Sequence, residues 1–277
     1  MFFKRLPLII LFLSFITLRS EFSEPTIEEG FVTFATADYF PLLRILLDSV
    51  KKFSTRPVVA FGINDDIPFS TEQYPFLIKK RIDNIKKTKA DIFTLKPKII
   101  LDCGIRYGVY IEADDILTHK VDELFAIAKT VGNYPLCPIH SLDVNDQRNI
   151  MQLLGVKQKS MPYMHGHIVF AQSCLPFIEE WYNTCKKYIR KAQNFDETIL
   201  NVLLWKHNVS DHLDLYDPYA KYITNYANGT LEEIYMQKYK RTILGPYMFH
   251  GYKKPSSSRQ ILNKLIKIAE QDGFSKE

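Results

Sequence analysis

A single α/β domain with a mixed, mostly parallel sheet flanked by helices is predicted by three observations. Between residues 31 and 62 a strand pattern, a helical pattern and a second strand pattern follow one another, which is the order of a right-handed βαβ crossover. Val109-Tyr110-Ile111 is a short run of β-formers without polar alternation, as expected of a strand buried on both faces. The 277 residues suffice for one large domain with a substantial core.

In chain order, residues 1–20 stand apart. Lys4 and Arg5 precede an apolar run from Leu6 to Leu18, and no acid appears before Glu21. That run is about 13 residues long, short of the roughly 20 needed to span a bilayer. A cleaved signal peptide ending near Ser20 is expected. Leu18 is not the small residue such a cleavage site prefers, so a short uncleaved anchor, with membrane association through residues 6–18, is the alternative. Either form sends the body across a membrane, towards the Golgi or endoplasmic reticulum lumen of a eukaryote, or to export from a bacterium. Without Lys4, Arg5 and Arg19 the formal charge falls from +5 to +2, which gives no argument for a nucleic-acid partner. Cys103, Cys137, Cys174 and Cys185 contain no Cys-x-x-Cys, so a zinc site is not expected. In an oxidising lumen they allow disulfides of unspecified pairing. Asn208-Val-Ser210 and Asn228-Gly-Thr230 are glycosylation sequons.

After a polar linker over 21–30, Phe31–Ala35 reads as the first strand and Val58–Gly62 as the second. In the helix between them Tyr39, Leu43, Leu46, Leu47 and Val50 recur at helical spacing and are expected to face the sheet. Asp65-Asp66 reads as a turn. The basic run Lys79 to Lys89 reads as a solvated face, or as a surface steering an anionic acceptor or a membrane. Lys96 precedes the apolar run at 109–111, which ends at Glu112, Asp114 and Asp115. Open α/β sheets bind ligands beyond the carboxyl ends of their strands, and carboxylates suit Mg²⁺ or Mn²⁺. An acidic loop with no ligand fits the same residues. Val121–Thr130 reads as a helix and 132–163 as irregular. His165 and His167 alternate before the strand Ile168–Phe170, so both face one way and suit a metal or a substrate. Helices are expected over Pro176–Lys191 and through Asn194–Trp205, where Asp196 and Glu197 also suit a helix start as dipole partners. Residues 256–277 read as an amphipathic helix using Ile261, Leu265 and Ile268.

Tyr110-Ile-Glu112-Ala113-Asp114 resembles the Tyr-Leu-Asp-Ala-Asp signature of GT-A glycosyltransferases, especially the glycogenin-like and galactinol-synthase-like group. Further matches fall in the family's order. Phe31 to Tyr39 resembles its nucleotide-binding opening, and Gly166 with Ile168-Val-Phe170 resembles its Asn-x-Gly strand. Asp196, Leu200 and Asn201 follow its Asp-Gln-x-x-Leu-Asn phrase, and Gly251, Lys254 and Pro255 follow its closing His-x-x-Gly-x-x-Lys-Pro. Glu112, Met164, Glu197 and Met248 depart from it, at positions where the family has Asp, Asn, Gln and His.

The resemblance implies a GT-A (nucleotide-diphospho-sugar transferase) fold over 31–255. It also implies transfer of a sugar, with retention, from a nucleotide-diphosphate donor such as a UDP-sugar to a glycan, protein or lipid acceptor. It implies that Thr36, Ala37, Asp38, Tyr39, Lys96, Ala113, Asn201, Gly251 and Lys254 bind the donor, and that Asp196 and Lys96 act in catalysis. His165, His167 and Asp196 would then contact sugar or acceptor. Glu112, Asp114 and His250 would hold Mn²⁺ or Mg²⁺, His250 replacing the family's His from two residues further on. Two other classes fit the same residues: a non-catalytic carbohydrate- or nucleotide-sugar-binding protein, favoured by the substitutions at 112, 164 and 248, and a metal-dependent phosphohydrolase.

Overall fold

The structure is a computed structural model that describes residues 25–86, 88–138, 146–192, 195–209, 223–225, 248–250 and 254–274, with backbone alone at 191–192, 223–225 and 249–250. The leader at 1–20, the sequon at 228–230, Ser210 of the other sequon, and Gly251 lie outside the described residues.

The first strand, β1 (Ile27–Ala35), starts four residues inside the expected linker, because Ile27 pairs with Ile105 and prolongs the sheet. A 3₁₀ turn (Ala37–Tyr39) leads into α1 (Phe40–Phe53). Leu43, Leu46, Leu47 and Val50 are fully buried against the sheet, as their spacing predicts. Tyr39 is the exception: it belongs to the turn, not the helix, and is exposed. Then come β2 (Val58–Ile63), buried throughout, β3 (Leu77–Ile82), and α2 (Lys89–Asp102). The chain continues through β4 (Ile105–Tyr110), β5 (Ile116–Leu117), α3 (Glu123–Ala128), α4 (Arg148–Leu154) and β6 (Ile168–Ala171). Helices α5 (Leu175–Ala192) and α6 (Asp196–Lys206), short strands β7 (Ile223–Asn225) and β8 (Met248–His250), and α7 (Pro255–Gln271) complete it.

The main sheet has the order β3-β2-β1-β4-β6. Only β6 runs antiparallel to its neighbour. This is an α/β fold with a mostly parallel five-stranded sheet and flanking helices, Rossmann-like in organisation. The central strand β2 and the Phe31–Ala35 part of β1 are almost wholly buried, since both their faces are covered. At the outer edge, β3 exposes Lys79, Lys80 and Arg81. Part of the basic run is thus a charged edge strand, a device that discourages edge-to-edge pairing. In β4, Gly108 lies opposite Phe170, and a Cβ there would meet the Phe170 ring at 2.1 Å. Only glycine leaves room for that ring.

Two expectations need correction. The stretch 132–163 is not irregular throughout, since α4 lies within it and closes on Gly155 at φ 70°. All four cysteines are buried free thiols, with no disulfide between them. The C-terminal helix does pack on the domain: Ile261, Leu262, Leu265 and Ala269 bury against Ile45 and Phe53 of α1 and Ile116 of β5. No described helix is long and apolar enough to cross a membrane.

Candidate functional site

The site forms at the carboxyl ends of β1 and β4. These strands are parallel, with Val32 beside Tyr110, and the Ile111 amide extends the ladder by donating to Val32 O (3.0 Å). Since β6 is antiparallel with Ile168 beside Tyr110, the preceding 165–167 segment arrives at the same end.

After Ile111 the acidic stretch closes into a tight turn. The Asp115 amide donates to Glu112 O (3.0 Å), while the Glu112 amide donates to Asp115 Oδ2 (2.6 Å). Asp115 is buried, and its carboxylate also meets His167 Nε2 at 3.1 Å. The third acid of the run thus clasps the loop to the strand-β6 segment. The sequence singled out His167 as a sugar contact or metal ligand. In the structure its ring lies against Asp115, and its neighbour His165 lies 6.1 Å away between ring centroids, so the two do face one way. Asp114 is 6 % exposed and Ala113 is buried beside it.

Lys96 is no solvent lysine. It lies in the third turn of α2, 7 % exposed, with Nζ 3.0 Å from Glu112 Oε1 and 3.3 Å from Asp196 Oδ2. The Tyr110 ring lies below it, 5.0 Å to the centroid. The contact to Asp196 is ionic without good hydrogen-bond angles, which leaves the buried Asp196 Oδ2 without a hydrogen-bond partner among the described residues. Burial alone would lower the Lys96 pKa, but Asp196 and Glu112, then Tyr110 and Glu197, hold it well above the ordinary lysine value. Burial pushes the Asp196 and Glu197 carboxyls up, and Lys96 works against that rise in both.

Helix α6 sets Asp196 and Glu197 at its first turn, where a helix end favours negative charge. It is fixed at several points. The Trp181 indole donates to Asp196 O (2.9 Å), the Trp205 indole donates to Met161 O (3.0 Å), and the Tyr163 hydroxyl bonds Thr198. Asn201, expected to touch the donor, is fully buried. Its amide oxygen accepts from Met164 N (2.7 Å) and its amide nitrogen donates to Met164 O (2.8 Å). Its visible work is holding the 164–167 segment to α6. Glu197 continues that work by accepting from Gly166 N (2.7 Å). A Cβ on Gly166 would lie 2.7 Å from Lys96 Nζ, so glycine here lets the backbone close over the ammonium. Neither Gly166 as a lid on Lys96 nor Asp115 as a loop clasp was legible from spacing alone. The signals available were a glycine between two histidines and a third acid in the run.

The opening turn completes the border. Thr36 and Ala37 to Tyr39 lie at the end of β1, and the Thr36 hydroxyl donates to the Asp38 carboxylate. Burial raises the Tyr39 pKa, with further contributions from Asp114, Asp38 and Glu112, which puts that ring within the field of the acidic loop. Ala37 and Pro255 line one shallow pocket of about 460 Å³ with Phe40, Arg44 and Arg259, so the start of α7, preceded by the exposed Lys254, stands beside the first turn. Strand β8 pairs antiparallel with β5, Phe249 beside Ile116 and Met248 beside Leu117. His250 follows Phe249 in β8, beside Asn225 of β7, at the end of the ladder where Asp115 precedes Ile116.

Among the described residues no three His, Cys, Asp or Glu side chains form a group that could hold a metal ion. The predicted set of Glu112, Asp114 and His250 is therefore not assembled from described side chains: that of His250 is outside them, and Glu112 points to Lys96. The charge balance nevertheless suits a cation. Glu112, Asp196 and Glu197 surround the buried Lys96, and Asp114 and Asp115 lie in the adjoining loop, an excess of carboxylate that repels a diphosphate unless positive charge comes with it. Oxygen donors of this type fit Mn²⁺ or Mg²⁺. No family model matches the chain, and no curated protein sequence matches it.

Proposed function

We propose that the chain is a metal-dependent glycosyltransferase that moves a sugar from a nucleotide-diphosphate donor, on a GT-A-type elaboration of the α/β fold. One observation carries the reading. Segments far apart in sequence, at 36–39, 96, 112–115, 165–167, 196–197 and 248–250, meet at the carboxyl end of a parallel sheet. That is where open α/β sheets bind nucleotides. It is also the set of segments for which the residues resemble that enzyme group.

In this reading the 36–39 turn cradles the nucleoside. Lys254, free of the carboxylate cluster, faces the diphosphate. Asp114, with His250 across the β5–β8 register, would hold Mn²⁺ or Mg²⁺, which when bound neutralises the charge of the leaving diphosphate. Asp196 and Glu197 accept hydrogen bonds from sugar hydroxyls and hold the sugar against the acceptor. Burial raises both carboxyls and Lys96 opposes that rise, favouring the charged, hydrogen-bond-accepting form.

The test is donor-only turnover. The chain from residue 21 is incubated with a panel of nucleotide sugars and Mn²⁺, and free nucleoside diphosphate is measured with and without EDTA. EDTA-sensitive release from one donor, lost in Asp114→Asn, supports the reading. No release and no nucleotide binding by calorimetry for any donor contradicts it.

A further inference from the structure

The catalytic cluster is ringed by carboxylates, but a groove beside it has the opposite character. Its volume is about 680 Å³, within the range of small-ligand sites. Lys86 and Lys89 stand at the start of α2, Arg190 near the end of α5, and Phe93 and Phe195 form its aromatic wall over Ile189. The two rings are 4.8 Å apart at an angle of 50°, and Phe195 is 37 % exposed. Phe93 lies one helical turn before Lys96, and Phe195 immediately precedes Asp196. The start of α2 follows the carboxyl end of β3, and α5 returns to that same end after the antiparallel β6. The groove therefore opens at the end of the sheet that carries the candidate site.

Its positive charge is only partly offset among the described residues. Arg190 pairs with Asp91, whose carboxyl is held low by the Thr88 hydroxyl and Arg190. Lys86 and Lys89 make no salt bridge among the described residues. Lys86, which reaches Asp91 only through its field, and Lys89 stand beside the exposed Phe195 ring and the partly buried Phe93 ring. A sugar offers such rings its apolar C–H face, and a carboxylate or phosphate on that sugar matches the lysines. An anion of this kind has no place among Glu112, Asp196 and Glu197 at the candidate site, so the charged part of a ligand belongs at 86–89 and its neutral hydroxyls belong towards Asp196.

We infer that this groove binds the acceptor, and that the acceptor is an anionic saccharide carrying a carboxylate or a phosphate. The inference rests on the transferase reading for the word acceptor, while the binding itself does not need a donor. The experiment is calorimetric titration of the full chain, without nucleotide, using tetragalacturonate, its fully methyl-esterified form, and glucose 6-phosphate against glucose. Binding of tetragalacturonate or glucose 6-phosphate, at least about tenfold tighter than the uncharged counterpart and weakened by salt, supports the inference. Which of the two binds assigns the anion. Lys86→Glu combined with Lys89→Glu should remove that preference. Phe195→Ala, at an exposed position and with folding checked by its Tm, should weaken charged and uncharged forms alike. Equal affinity for charged and neutral forms, no binding of either anion, or retained preference in the double charge reversal overturns it. Saccharide binding with no donor turnover would sink the transferase reading alone. Donor turnover with no anion preference would sink the groove alone.

Discussion

Replacing Lys96 by Met removes a charge from the middle of the candidate site while keeping most of its bulk. At 3.0 and 3.3 Å, each attraction to Glu112 and Asp196 is about 5 kcal/mol at an effective dielectric near 20. Much of this is offset by the desolvation of the ammonium, and Glu112, the more exposed partner, is discounted for screening. Removing one member of a buried cluster typically costs about 3–5 kcal/mol, because the remaining charges lose their partner. For a domain of this size that is a fall of roughly 10 °C in Tm. The deficit has a pH signature. Burial already raises the Asp196 and Glu197 carboxyls, and Lys96 restrains them. Without Lys96 both rise further, so above the ordinary carboxylate range the folded variant binds more protons than the unfolded chain. Stability then falls as pH rises, and the deficit against wild type is small in acid and grows towards neutrality. Urea unfolding at a series of pH values from acid to neutral measures it. A deficit under about 1 kcal/mol at neutral pH, or one that does not change with pH, would refute the reasoning.

Three other substitutions separate scaffold from chemistry. Asn201→Ala strips the buried amide and carbonyl of Met164 of their partner, and should destabilise by about 2–4 kcal/mol in urea unfolding, with donor turnover lost as the 164–167 segment loosens. Gly166→Ala sets a methyl 2.7 Å from Lys96 Nζ; the flexible lysine can yield, so Tm should change little while donor turnover drops about tenfold or more from misplaced carboxylates. Gly108→Ala drives a Cβ into the Phe170 ring, costing about 1–3 kcal/mol by thermal unfolding, and Phe170→Leu in the same chain should recover part of it.

The two central strands and the first helix were legible because their signals are local, whereas β3, carrying Lys79, Lys80 and Arg81, read only as a solvated basic run. Val58 to Ile63 is apolar at every position but one, and Leu43, Leu46, Leu47 and Val50 repeat at helical spacing. The acidic run after a buried strand is what singled out the carboxyl end of β4 as the candidate site. What spacing could not give was the environment of single groups. Lys96 reads equally well as a surface lysine, and only the folding of α2 against α6 buries it among acids. Asp115 is indistinguishable in sequence from Asp114, yet it is spent on the Glu112 amide and His167. Tyr39 fits a helical stripe but falls in the 3₁₀ turn before the helix begins. The register that pairs Ile116 with Phe249 links residues more than a hundred positions apart, beyond the reach of any local pattern.

The most direct test of the central claim is calorimetric titration of UDP and other nucleoside diphosphates into the chain, with Mn²⁺ and with EDTA, for wild type, Asp114→Asn and His250→Ala. Convergence of these segments into a metal-dependent donor site predicts binding of one nucleotide with Mn²⁺, loss of that binding in EDTA, and loss in both variants without a change in Tm. Nucleotide binding that is indifferent to metal and to both substitutions, or no binding of any nucleotide, would contradict it.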